Sequence, residues 1–468
     1  MPYYYKTHSK EDIMSTITTA VILAAGRGTR IEPFSYTRPK ALIPIANKPI
    51  IVHQLEALDA VGIKKVIIIA GWKNERMNHW LFRNRKYFEH MSIEIKIQPQ
   101  PTGTAHALSL AESSVDTEFL VLYGDTIVSV EQLKFVMDQG AHAVAINTIE
   151  THNYSWQILI DDDEESETYG HIRQFTYNSR EWATTVPAGI FALTKEVFKY
   201  LKVQPGFFIH TEVGISGPEE YDLFGALEDM RQEGKTIRPV MMKNNTHDID
   251  YPWEIMTVSY HIAEAAGEIL TESYIDATSK IDGYIEGEVI IGENVIIEEG
   301  VTIAHNVRIG ANTIIRRGTS IKEDTIIGEH CEIGPYARIG GVFGNDVHIG
   351  FTAECDGVWF DKAWCMHHSE MYGVFGEGVN IGAATVCGTL RHDDKPIKVD
   401  VNGERIDTGL IAIGPLVGDY ARTGVNAMPM PGRIIGAYAL VGPGVIQMQN
   451  VPPRHIIIAK TENIIKPI

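Results

Sequence analysis

Isoleucine recurs with an unusual period in the second half of the chain. It occupies ten consecutive positions that lie six residues apart, at 285, 291, 297, 303, 309, 315, 321, 327, 333 and 339. An α-helix repeats every 3.6 residues and a β-strand every two residues, so neither element has this period. A solenoid of hexapeptide repeats does, because one residue of each repeat points into a narrow interior. The pattern predicts a left-handed parallel β-helix.

The period is not continuous through the rest of the chain. It breaks between Gly341 and His368, where we expect an inserted or irregular coil. It returns in the stretch VNIGAATV and again at Val417, Thr423, Pro429, Ile435 and Val441. The segment after Val451 is expected to form an end cap, so the β-helix is predicted to cover residues 275–468.

The preceding part of the chain has a different pattern, in which short apolar runs alternate with helical stretches. Strands are predicted at 21–25, 65–70, 93–98, 119–125, 143–149 and 237–242. This alternation is typical of an α/β domain with a mostly parallel, Rossmann-like sheet. We therefore expect a polar leader over 1–15, an α/β domain over 16–252 and a connecting helix within 253–274.

Charge and composition limit the possible partners. Lys and Arg number 41 against 60 Asp and Glu, which gives a net charge of −19. A negative field of this size disfavours nucleic acid and anionic membranes as partners. The first 15 residues lack the apolar core of a signal peptide. The sequence contains no run of 18 apolar residues of the kind that spans a membrane. The four cysteines form no CxxC pair, so we expect reduced thiols and a cytoplasmic protein.

A glycine-rich loop follows the first predicted strand, in the sequence LAAGRGTRIEPFSYTRPK (23–40). Loops of this kind, at the end of a buried strand, usually hold phosphate groups. The spacing fits neither a Walker A loop nor a dinucleotide fingerprint. Four basic residues, Arg27, Arg30, Arg38 and Lys40, give the loop local positive charge. It is therefore a candidate site for an anionic substrate.

Carboxylates are expected near this loop. Asp125 ends the predicted strand FLVLYGD, and the segment HDIDYPW (247–253) supplies Asp248 and Asp250. A second glycine loop, QPQPTGTAHAL (98–108), opens a helix that can offer backbone N–H groups. Carboxylates together with Arg30 and Lys40 suit a magnesium-assisted transfer at a nucleotide phosphate. Either Asp248 or Asp250 could be the second ligand of the metal.

These motifs resemble, in their order along the chain, those of the sugar-1-phosphate nucleotidylyltransferases. The resemblance includes the LAAGRGTR loop with its Pro-Lys pair, QPQPTGTAHAL, LYGD and YGHI (169–172). The attached hexapeptide solenoid is similar to that of the bifunctional members, which pair N-acetylglucosamine-1-phosphate uridylyltransferase with glucosamine-1-phosphate acetyltransferase. The segment 388–409 resembles the archaeal-type proteins of this group.

The resemblance implies a nucleotidyltransferase domain over 16–252 that uses a nucleoside triphosphate, a sugar-1-phosphate and Mg²⁺. An oxygen of the sugar phosphate then attacks the α-phosphorus in line, with no covalent enzyme intermediate. Because relatives pack three β-helices side by side, we expect a homotrimer or a multiple of three. The resemblance assigns phosphate binding in the transition state to Arg30 and Lys40, and Mg²⁺ binding to Asp125 and Asp250. The residues that it implies for substrate binding are Leu23, Ala25 and Gly26 at the base and ribose, Gly28 and Thr29 at the triphosphate, Gln98, Gly103 and Thr104 at the base edge, and Gly170 and Gly189 under the sugar.

Two departures from the family pattern concern the sugar. The region in which the family has a Glu-Lys pair reads RQFTYNSR here, and Pro187 replaces an Asn before Gly189. The sequence therefore leaves open the identity of the sugar, and also the choice among UTP, dTTP and GTP.

A second site in the β-helix would use acetyl-CoA. A histidine base is needed for such acetyl transfer, and the resemblance points to His367 or His368 with Asn380, Lys395 and Lys398. The expected tyrosine has no match, and Thr389 stands where an Asn is expected. The alternatives are a working acetyltransferase and a purely structural, trimerising solenoid, and we expect weak or absent acetyl transfer. A non-catalytic oligomeric regulator is a further alternative, although a regulator should have lost Lys40 or the carboxylates.

Overall fold

The computed structural model describes residues 17–148, 156–166, 168–177, 185–202, 211–212, 215–216 and 221–460. The expected polar leader, 1–15, lies outside the described residues. Within these ranges the chain forms an α/β half followed by a parallel β-helix. No helix in the described part of the chain is long and apolar enough to cross a membrane.

A seven-stranded sheet forms the centre of the first half. Its strands, in spatial order, are Arg238–Met241, Ala143–Thr148, Thr185–Thr194, Glu118–Tyr123, Thr19–Ala24, Lys65–Ala70 and Ser92–Ile97. Thr19–Ala24 pairs in parallel with Lys65–Ala70 on one side and with Glu118–Tyr123 on the other. The carboxyl ends of these three strands therefore meet at one edge, where ligands bind in sheets of this kind.

Strand Thr185–Thr194 is the one strand of this sheet that the sequence analysis missed. It lies between Glu118–Tyr123 and Ala143–Thr148 and runs antiparallel to both. It contains Pro187 and Gly189, residue types that weaken a strand and are usually found at bulges or irregular pairing. The register does shift between Pro187 and Phe191. The sheet is consequently mixed rather than uniformly parallel.

The helices of the first half pack on the sheet, except for the last of them, which packs against the β-helix. They are α1 (Ile50–Ala60), α2 (Asn74–Asn84), α3 (Thr104–Ser109), α4 (Val130–Asp138), α5 (Val197–Leu201), α6 (Leu223–Gln232) and α7 (Glu254–Glu268). Short 3₁₀ turns occupy Thr29–Ile31, Phe34–Tyr36, Lys40–Leu42 and Arg85–Phe88. Small antiparallel pairs join Pro44–Ile45 to Lys48–Pro49, Thr126–Ile127 to His247–Asp248, Trp156–Ile160 to Ile172–Tyr177, and Thr211–Glu212 to Ile215–Ser216. Helix α7 leads into the β-helix.

The β-helix stacks short strands in three columns. The first column holds Tyr274–Ile275, Val289–Ile291, Val307–Ile309, Ile326–Ile327, Val342–Phe343, Leu416–Val417 and Ile434–Ile435. The second holds Lys280–Ile281, Ile296–Ile297, Ile314–Ile315, Glu332–Ile333, His348–Ile349, Trp364–Cys365, Asn380–Ile381, Arg422–Thr423, Leu440–Val441 and Ile456–Ile457. The third holds Tyr284–Ile285, Thr302–Ile303, Ser320–Ile321, Arg338–Ile339, Met428–Pro429 and Ile446–Gln447, while Glu354–Trp359 and Glu370–Phe375 belong to two columns.

The isoleucine period has the expected structural meaning. Ile291, Ile309 and Ile327 pair in succession within one column, so one full coil takes 18 residues there. The repeating isoleucines from 291 to 339 are at most 2 % exposed and form the interior of the β-helix. The predicted fold class, a Rossmann-like domain followed by a left-handed β-helix, is confirmed.

The expected irregular coil between Gly341 and His368 is instead a regular one with a shorter period. Ile333, Ile349, Cys365 and Ile381 pair in succession, and 16 residues separate each from the next. These coils are shorter because only four residues, rather than six, separate the inward side chains of the third and first columns, as in Ile339 and Phe343 and in their partners Cys355 and Trp359. Large rings occupy the interior at this level, and Trp359 stacks on Phe375 at 3.8 Å.

The two halves share a buried apolar cluster. From the first half it includes Ile31, Phe34, Ile43, Trp253 and Met256, and from the β-helix it includes Val342, Val358, Phe360, Val374 and Leu416. A hairpin of Lys398–Val401 and Glu404–Asp407 extends from the β-helix, and its residues Val399 and Val401 join the same cluster. The glycine-rich loop therefore packs directly against the β-helix.

Candidate active site

Three carboxylates from distant parts of the chain meet at the carboxyl edge of the sheet. Asp125 follows strand Glu118–Tyr123, and the short pairing of Thr126 with Asp248 brings the 247–250 segment beside it. The backbone N–H of Ile249 donates to the Asp125 carbonyl oxygen at 3.1 Å. One carboxylate oxygen from each of Asp125, Asp248 and Asp250 lies within 4.8 Å of the other two.

Two basic side chains of the glycine-rich loop contact this cluster. Lys40 Nζ lies 2.7 Å from Asp125 Oδ2 and 2.9 Å from Asp250 Oδ1. Arg30 Nη2 lies 2.7 Å from the same Asp250 oxygen. The structure thus brings Arg30, Lys40 and Asp125 together with both candidates for the second carboxylate, Asp248 and Asp250.

The charges of this cluster shift the pKa values of its members. Burial acts to lower the pKa of Lys40, but Asp125 and Asp250 outweigh it and raise that pKa above its usual value. Burial acts to raise the pKa of Asp250, yet Lys40 and Arg30 hold that pKa below its usual value. Asp248 is exposed as a residue, and the protein beside its carboxyl, followed by the negative charges of Asp125 and Asp250, raises the pKa of that carboxyl above its usual value.

The donor set fits a hard divalent cation. The Asp125 Oδ1 atom is buried and has no hydrogen-bond partner, although buried polar atoms are nearly always paired. A cation held by the neighbouring carboxylates would satisfy it. Mg²⁺ takes oxygen ligands and is commonly held by one or two carboxylates together with substrate phosphates. Both Asp248 and Asp250 lie close enough to be the second carboxylate.

The glycine-rich loop begins where strand Thr19–Ala24 ends. Gly28 has a φ of 65°, a conformation that glycine adopts readily. Ser35 donates to the Gly28 carbonyl at 2.6 Å, and the Trp72 indole donates to the Ser35 carbonyl at 3.0 Å. Gly26 has open space beside it, where an added Cβ would meet no atom within 4 Å. The loop is held in shape while one side stays free for a ligand.

The side chains of Leu23 and Ala25 lie in the apolar core of the first half, so only their backbone can face a substrate. Their carbonyl oxygens accept hydrogen bonds from the N–H groups of Gly124 and Trp72. Thr29 contacts the β-helix, because Asn402 at the hairpin tip donates to its Oγ1 atom at 3.3 Å. The sequence offered no pattern that links residues 29 and 402.

The second glycine loop is held by its own side chains. Gln98 is buried and its amide donates to the Gly103 carbonyl at 3.1 Å. Gly103 has a φ of 97°, and a Cβ there would lie 2.4 Å from the Tyr221 carbonyl oxygen, so no larger residue fits. The Thr104 hydroxyl accepts from the Leu223 N–H at 2.9 Å. These contacts fix the start of α3, while Thr104 faces α6 rather than open space.

The two glycines expected under the sugar differ in position. Gly189 lies against Thr126, the neighbour of Asp125, and a Cβ there would lie 2.6 Å from the Thr126 hydroxyl. Gly170 lies in the turn before strand Ile172–Tyr177, with open space around it and no described contact to the carboxylate cluster. The structure therefore brings Gly189, but not Gly170, to the cluster.

Glu254 is a site residue that the sequence analysis missed. Its Oε2 atom accepts from the backbone N–H groups of Asp250 at 2.6 Å and of Tyr251 at 2.8 Å. Burial raises the pKa of Glu254 to about 7. An acidic residue in the first turn of α7, four positions after Asp250, was the available signal for this contact.

The candidate residues of the second site lie on two neighbouring coils of the β-helix and in the loop before its hairpin. His367 and His368 are exposed neighbours at one corner, and the Thr352 hydroxyl lies 2.6 Å from His368 Nδ1. Asn380 belongs to the second column, between Trp364 and Arg422. Lys395 is exposed in the loop before the hairpin. Among the described residues, no hydrogen bond or ion pair joins either histidine to Asn380 or Lys395.

Two family models match the chain. The model described as "Nucleotidyl transferase" matches residues 19–205, and the model described as "GMPPB C-terminal domain" matches residues 269–388. A solved structure of UDP-glucose pyrophosphorylase with UDP-glucose aligns with 53 % of this chain and 99 % of its own, at a TM-score of 0.45 and 20 % identity.

Full-length relatives extend the match to both halves. The chain is 31 % identical over 457 residues to "Bifunctional protein GlmU" of Methanococcus maripaludis, covering 95 % of this chain and 98 % of that protein. It is 30 % identical over 439 residues to "Bifunctional sugar-1-phosphate nucleotidylyltransferase/acetyltransferase" of Sulfurisphaera tokodaii, covering 92 % and 98 %. The chain therefore belongs to the family of bifunctional sugar-1-phosphate nucleotidylyltransferase/acetyltransferases.

Proposed function

We propose that the protein transfers a nucleotidyl group from a nucleoside triphosphate to a sugar-1-phosphate and releases pyrophosphate. The observation that carries this proposal is the contact of Lys40 with both Asp125 and Asp250, beside the glycine-rich loop. The glycine-rich loop, two basic side chains and a carboxylate cluster thus meet at one edge of the sheet, which supports binding of a nucleotide phosphate there. The full-length relatives with nucleotidylyltransferase names support the same activity.

The reaction needs no covalent enzyme intermediate. A phosphate oxygen of the sugar-1-phosphate attacks the α-phosphorus, and the bond from that phosphorus to the bridging oxygen of pyrophosphate breaks. Negative charge builds on the α-phosphate oxygens and on the departing pyrophosphate. Lys40 and Arg30 are placed to stabilise this charge, and groups fixed in advance at such positions lower the barrier most.

We propose Mg²⁺ as the cation, held by Asp125 with Asp250 or Asp248. When bound, it would neutralise phosphate charge and favour departure of pyrophosphate. Lys40 and Arg30 meanwhile compensate the carboxylates and keep Asp250 ionised. Glu254 holds the backbone of Asp250 and so fixes the direction of that carboxylate.

A substrate panel tests the proposal. UTP, dTTP, GTP, ATP and CTP are each combined with a set of sugar-1-phosphates, and pyrophosphate release is measured with Mg²⁺ and with EDTA. Magnesium-dependent release with at least one pair is expected. An absence of turnover with every pair would contradict the proposal and favour a non-catalytic oligomeric regulator. The same panel identifies the sugar, which the departures at RQFTYNSR and Pro187 leave open, and the base, for which UTP, dTTP and GTP are the alternatives.

Acetyl transfer from acetyl-CoA to an amino-sugar-1-phosphate is the second candidate activity. The observation in its favour is that relatives named as acetyltransferases align over the β-helix as well as the first half. The lack of a match for the expected tyrosine, and the presence of Thr389, argue for a weak or inactive second site. A subunit interface could complete the site, because acetyl-CoA would enter between neighbouring β-helices.

We also propose that the protein forms a homotrimer, or a multiple of three, in the cytoplasm. Exposed apolar side chains form a ladder on the third column, in which Val386, Met428 and Ile446 are 42 %, 38 % and 55 % exposed. Stacked apolar residues on a flat face suit burial against another subunit. The four buried, unpaired cysteines are consistent with a reducing compartment.

A further inference from the structure

Arg38 lies two residues before Lys40 but contacts the β-helix rather than the carboxylate cluster. Its Nη2 atom lies 2.7 Å from Asp419 Oδ2 and 3.0 Å from Glu377 Oε2. The three side chains are 11 %, 0 % and 18 % exposed, in the order Arg38, Asp419, Glu377. This is a buried ion cluster between the two halves of the chain.

Further contacts fix the two carboxylates. Asp419 Oδ1 accepts from the backbone N–H of Glu377 at 2.8 Å, and its other oxygen accepts from the Thr37 hydroxyl. The Tyr420 hydroxyl donates to Glu377 Oε1 at 2.8 Å. Burial acts to lower the pKa of Arg38, but Asp419 and Glu377 outweigh it and raise that pKa above its usual value. The cluster therefore stays charged, and removing one member leaves a buried charge without its partner.

The chain between Arg38 and Lys40 is short and stiff. Pro39 has a φ of −63°, which its ring fixes, and Lys40 begins a 3₁₀ turn. Within that turn, the Leu42 N–H donates to the Pro39 carbonyl at 2.9 Å and the Ile43 N–H donates to the Lys40 carbonyl at 2.9 Å. Two residues span at most about 7 Å, so a shift of Arg38 must also move the backbone of Lys40.

Apolar contacts dock the same loop at the same corner of the β-helix. The Phe34 ring lies 5.5 Å from the Phe360 ring, and the Arg38 guanidinium lies 5.4 Å from Phe360. A Cβ at Gly418 would lie 2.8 Å from the Cβ of Pro33, so the two chains approach too closely for a larger residue. The loop from 33 to 40 is thus seated on the β-helix by packing and by charge.

We infer that Arg38 is a positioning residue for nucleotidyl transfer, through which Glu377 and Asp419 of the β-helix hold Lys40 in place. The inference rests on the proposed function. Lys40 has a flexible side chain with a single charged end, so its position depends on the backbone that carries it. A displacement of about 1 Å at a reacting centre can cost on the order of 10²-fold in rate. The β-helix is then part of the nucleotidyltransferase machinery.

The test uses the full-length protein and variants of the two carboxylates. Asp419→Asn and Glu377→Gln keep the side-chain shape and remove the charge that holds Arg38. Glu332→Gln is the matched control, because the described partners of Glu332, Arg316 at 2.7 Å and His348 at 3.9 Å, both belong to the β-helix. We expect the first two variants to lower kcat by roughly 10-fold to 10²-fold with little change in KM for the triphosphate. The control should match the parent protein.

A double-mutant cycle separates positioning from general destabilisation. If Asp419 acts through Lys40, Asp419→Asn should cause no further loss of kcat once Lys40 is already alanine. Independent, multiplying losses in the double variant would overturn the inference. Retention of parent kcat in both Asp419→Asn and Glu377→Gln would overturn it as well.

Hydrogen–deuterium exchange gives a readout that does not depend on turnover. The amides of Leu42 and Ile43 should exchange faster in Glu377→Gln and Asp419→Asn than in Glu332→Gln. If Asp419→Asn fails to fold, Glu377→Gln and Thr37→Val still test the cluster, since Glu377→Gln keeps a side-chain oxygen for the Tyr420 hydroxyl and Thr37→Val removes only the hydroxyl that donates to Asp419. Unchanged exchange in these variants would overturn the inference. Absence of turnover in the parent protein would instead contradict the proposed function, and exchange would still decide the role of Arg38.

Discussion

The Nζ atom of Lys40 lies 2.7 Å from the Oδ2 atom of Asp125, although 85 residues separate them in sequence. The same ammonium lies 2.9 Å from Asp250 Oδ1, a residue 210 positions away. The ammonium of Lys40 thus links the end of a central strand to the segment that leads into α7. Substitution of Asp125 or of Lys40 therefore tests the proposed site directly.

Asp125→Asn should lower kcat by roughly 10²-fold or more, because the variant weakens charge stabilisation by the metal. The fold should persist, since an amide has nearly the same shape. The measurement is steady-state pyrophosphate release with Mg²⁺. Asp163→Asn, in the exposed loop after strand Trp156–Ile160, serves as the control and should keep parent activity. Near-normal turnover of Asp125→Asn would rule out the assignment.

Lys40→Ala should lower kcat more than it raises KM for the triphosphate. The reason is that charge builds on the phosphates in the transition state, so the ammonium stabilises that state more than the bound substrate. Full substrate titrations of the variant provide both constants. Lys48→Ala is the control. The Nζ atom of Lys48 lies 2.5 Å from Glu56 Oε2, and this ion pair is not part of the carboxylate cluster. A change confined to KM would show that Lys40 only binds the ground state.

His53 should make stability depend on pH. Burial, and then the charge of Lys48, lower the pKa of this histidine to about 4, and its Nε2 atom lies 3.0 Å from the Ile45 carbonyl oxygen. The unfolded chain has a pKa of about 6.5 at this residue, so it binds more protons between pH 6.5 and 4. The contribution of neutral His53 is complete above pH 6.5 and is lost as the pH falls toward 4, at up to about 1.4 kcal/mol per pH unit.

The His53 effect is measured as the difference between the free energies of unfolding at pH 7.5 and at pH 5.5. His53→Gln can still donate to the Ile45 carbonyl but does not titrate, so its loss on acidification should be smaller by about 1 kcal/mol. Equal losses in the parent and the variant would show that this histidine does not titrate as expected.

The protein should be a trimer, or a multiple of three, that associates through the β-helix. Met428→Asp or Ile446→Asp places a charge in the exposed apolar ladder, so light scattering should show smaller species. Phe82→Asp is the control, because Phe82 is 85 % exposed on α2, outside the β-helix. A monomeric parent protein would refute the proposal. Point variants are preferable to truncation after Tyr251, since truncation would uncover the apolar cluster shared by the two halves.

Acetyl transfer to glucosamine-1-phosphate should be weak or absent while nucleotidyl transfer remains intact. A histidine base would have to take a proton from the sugar amine as that amine attacks the thioester. Two contacts that would orient the sugar are missing, since the tyrosine has no match and Thr389 replaces an Asn. Thiol release from acetyl-CoA with amino-sugar phosphates is the measurement. Strong release that His367→Ala or His368→Ala abolishes would show that this prediction is wrong.

The fold class could be predicted from sequence because each half contains a pattern that recurs over short stretches of the chain. The six-residue spacing of isoleucine follows from one inward side chain per repeat, and strand–helix alternation follows from burial of the sheet on both faces. The shorter coils after Ile333 and the antiparallel strand Thr185–Thr194 departed from these patterns. In both, contacts with neighbouring strands override the local signal, since Pro187 alone argues against a central strand.

The candidate site was predictable in its residue types but not in its connections. The glycine-rich loop, Lys40, Asp125 and the pair Asp248 and Asp250 stand out in the sequence because phosphate and metal chemistry needs them. Only the tertiary structure placed Asp248 opposite Thr126, Glu254 against the Asp250 backbone and Arg38 on Asp419. Residues close in sequence leave a periodic trace, whereas contacts between distant residues depend on how the whole chain packs and leave none. The sequence alone therefore determined two architectures and one set of reactive groups, and packing between the halves decided which of those groups meet.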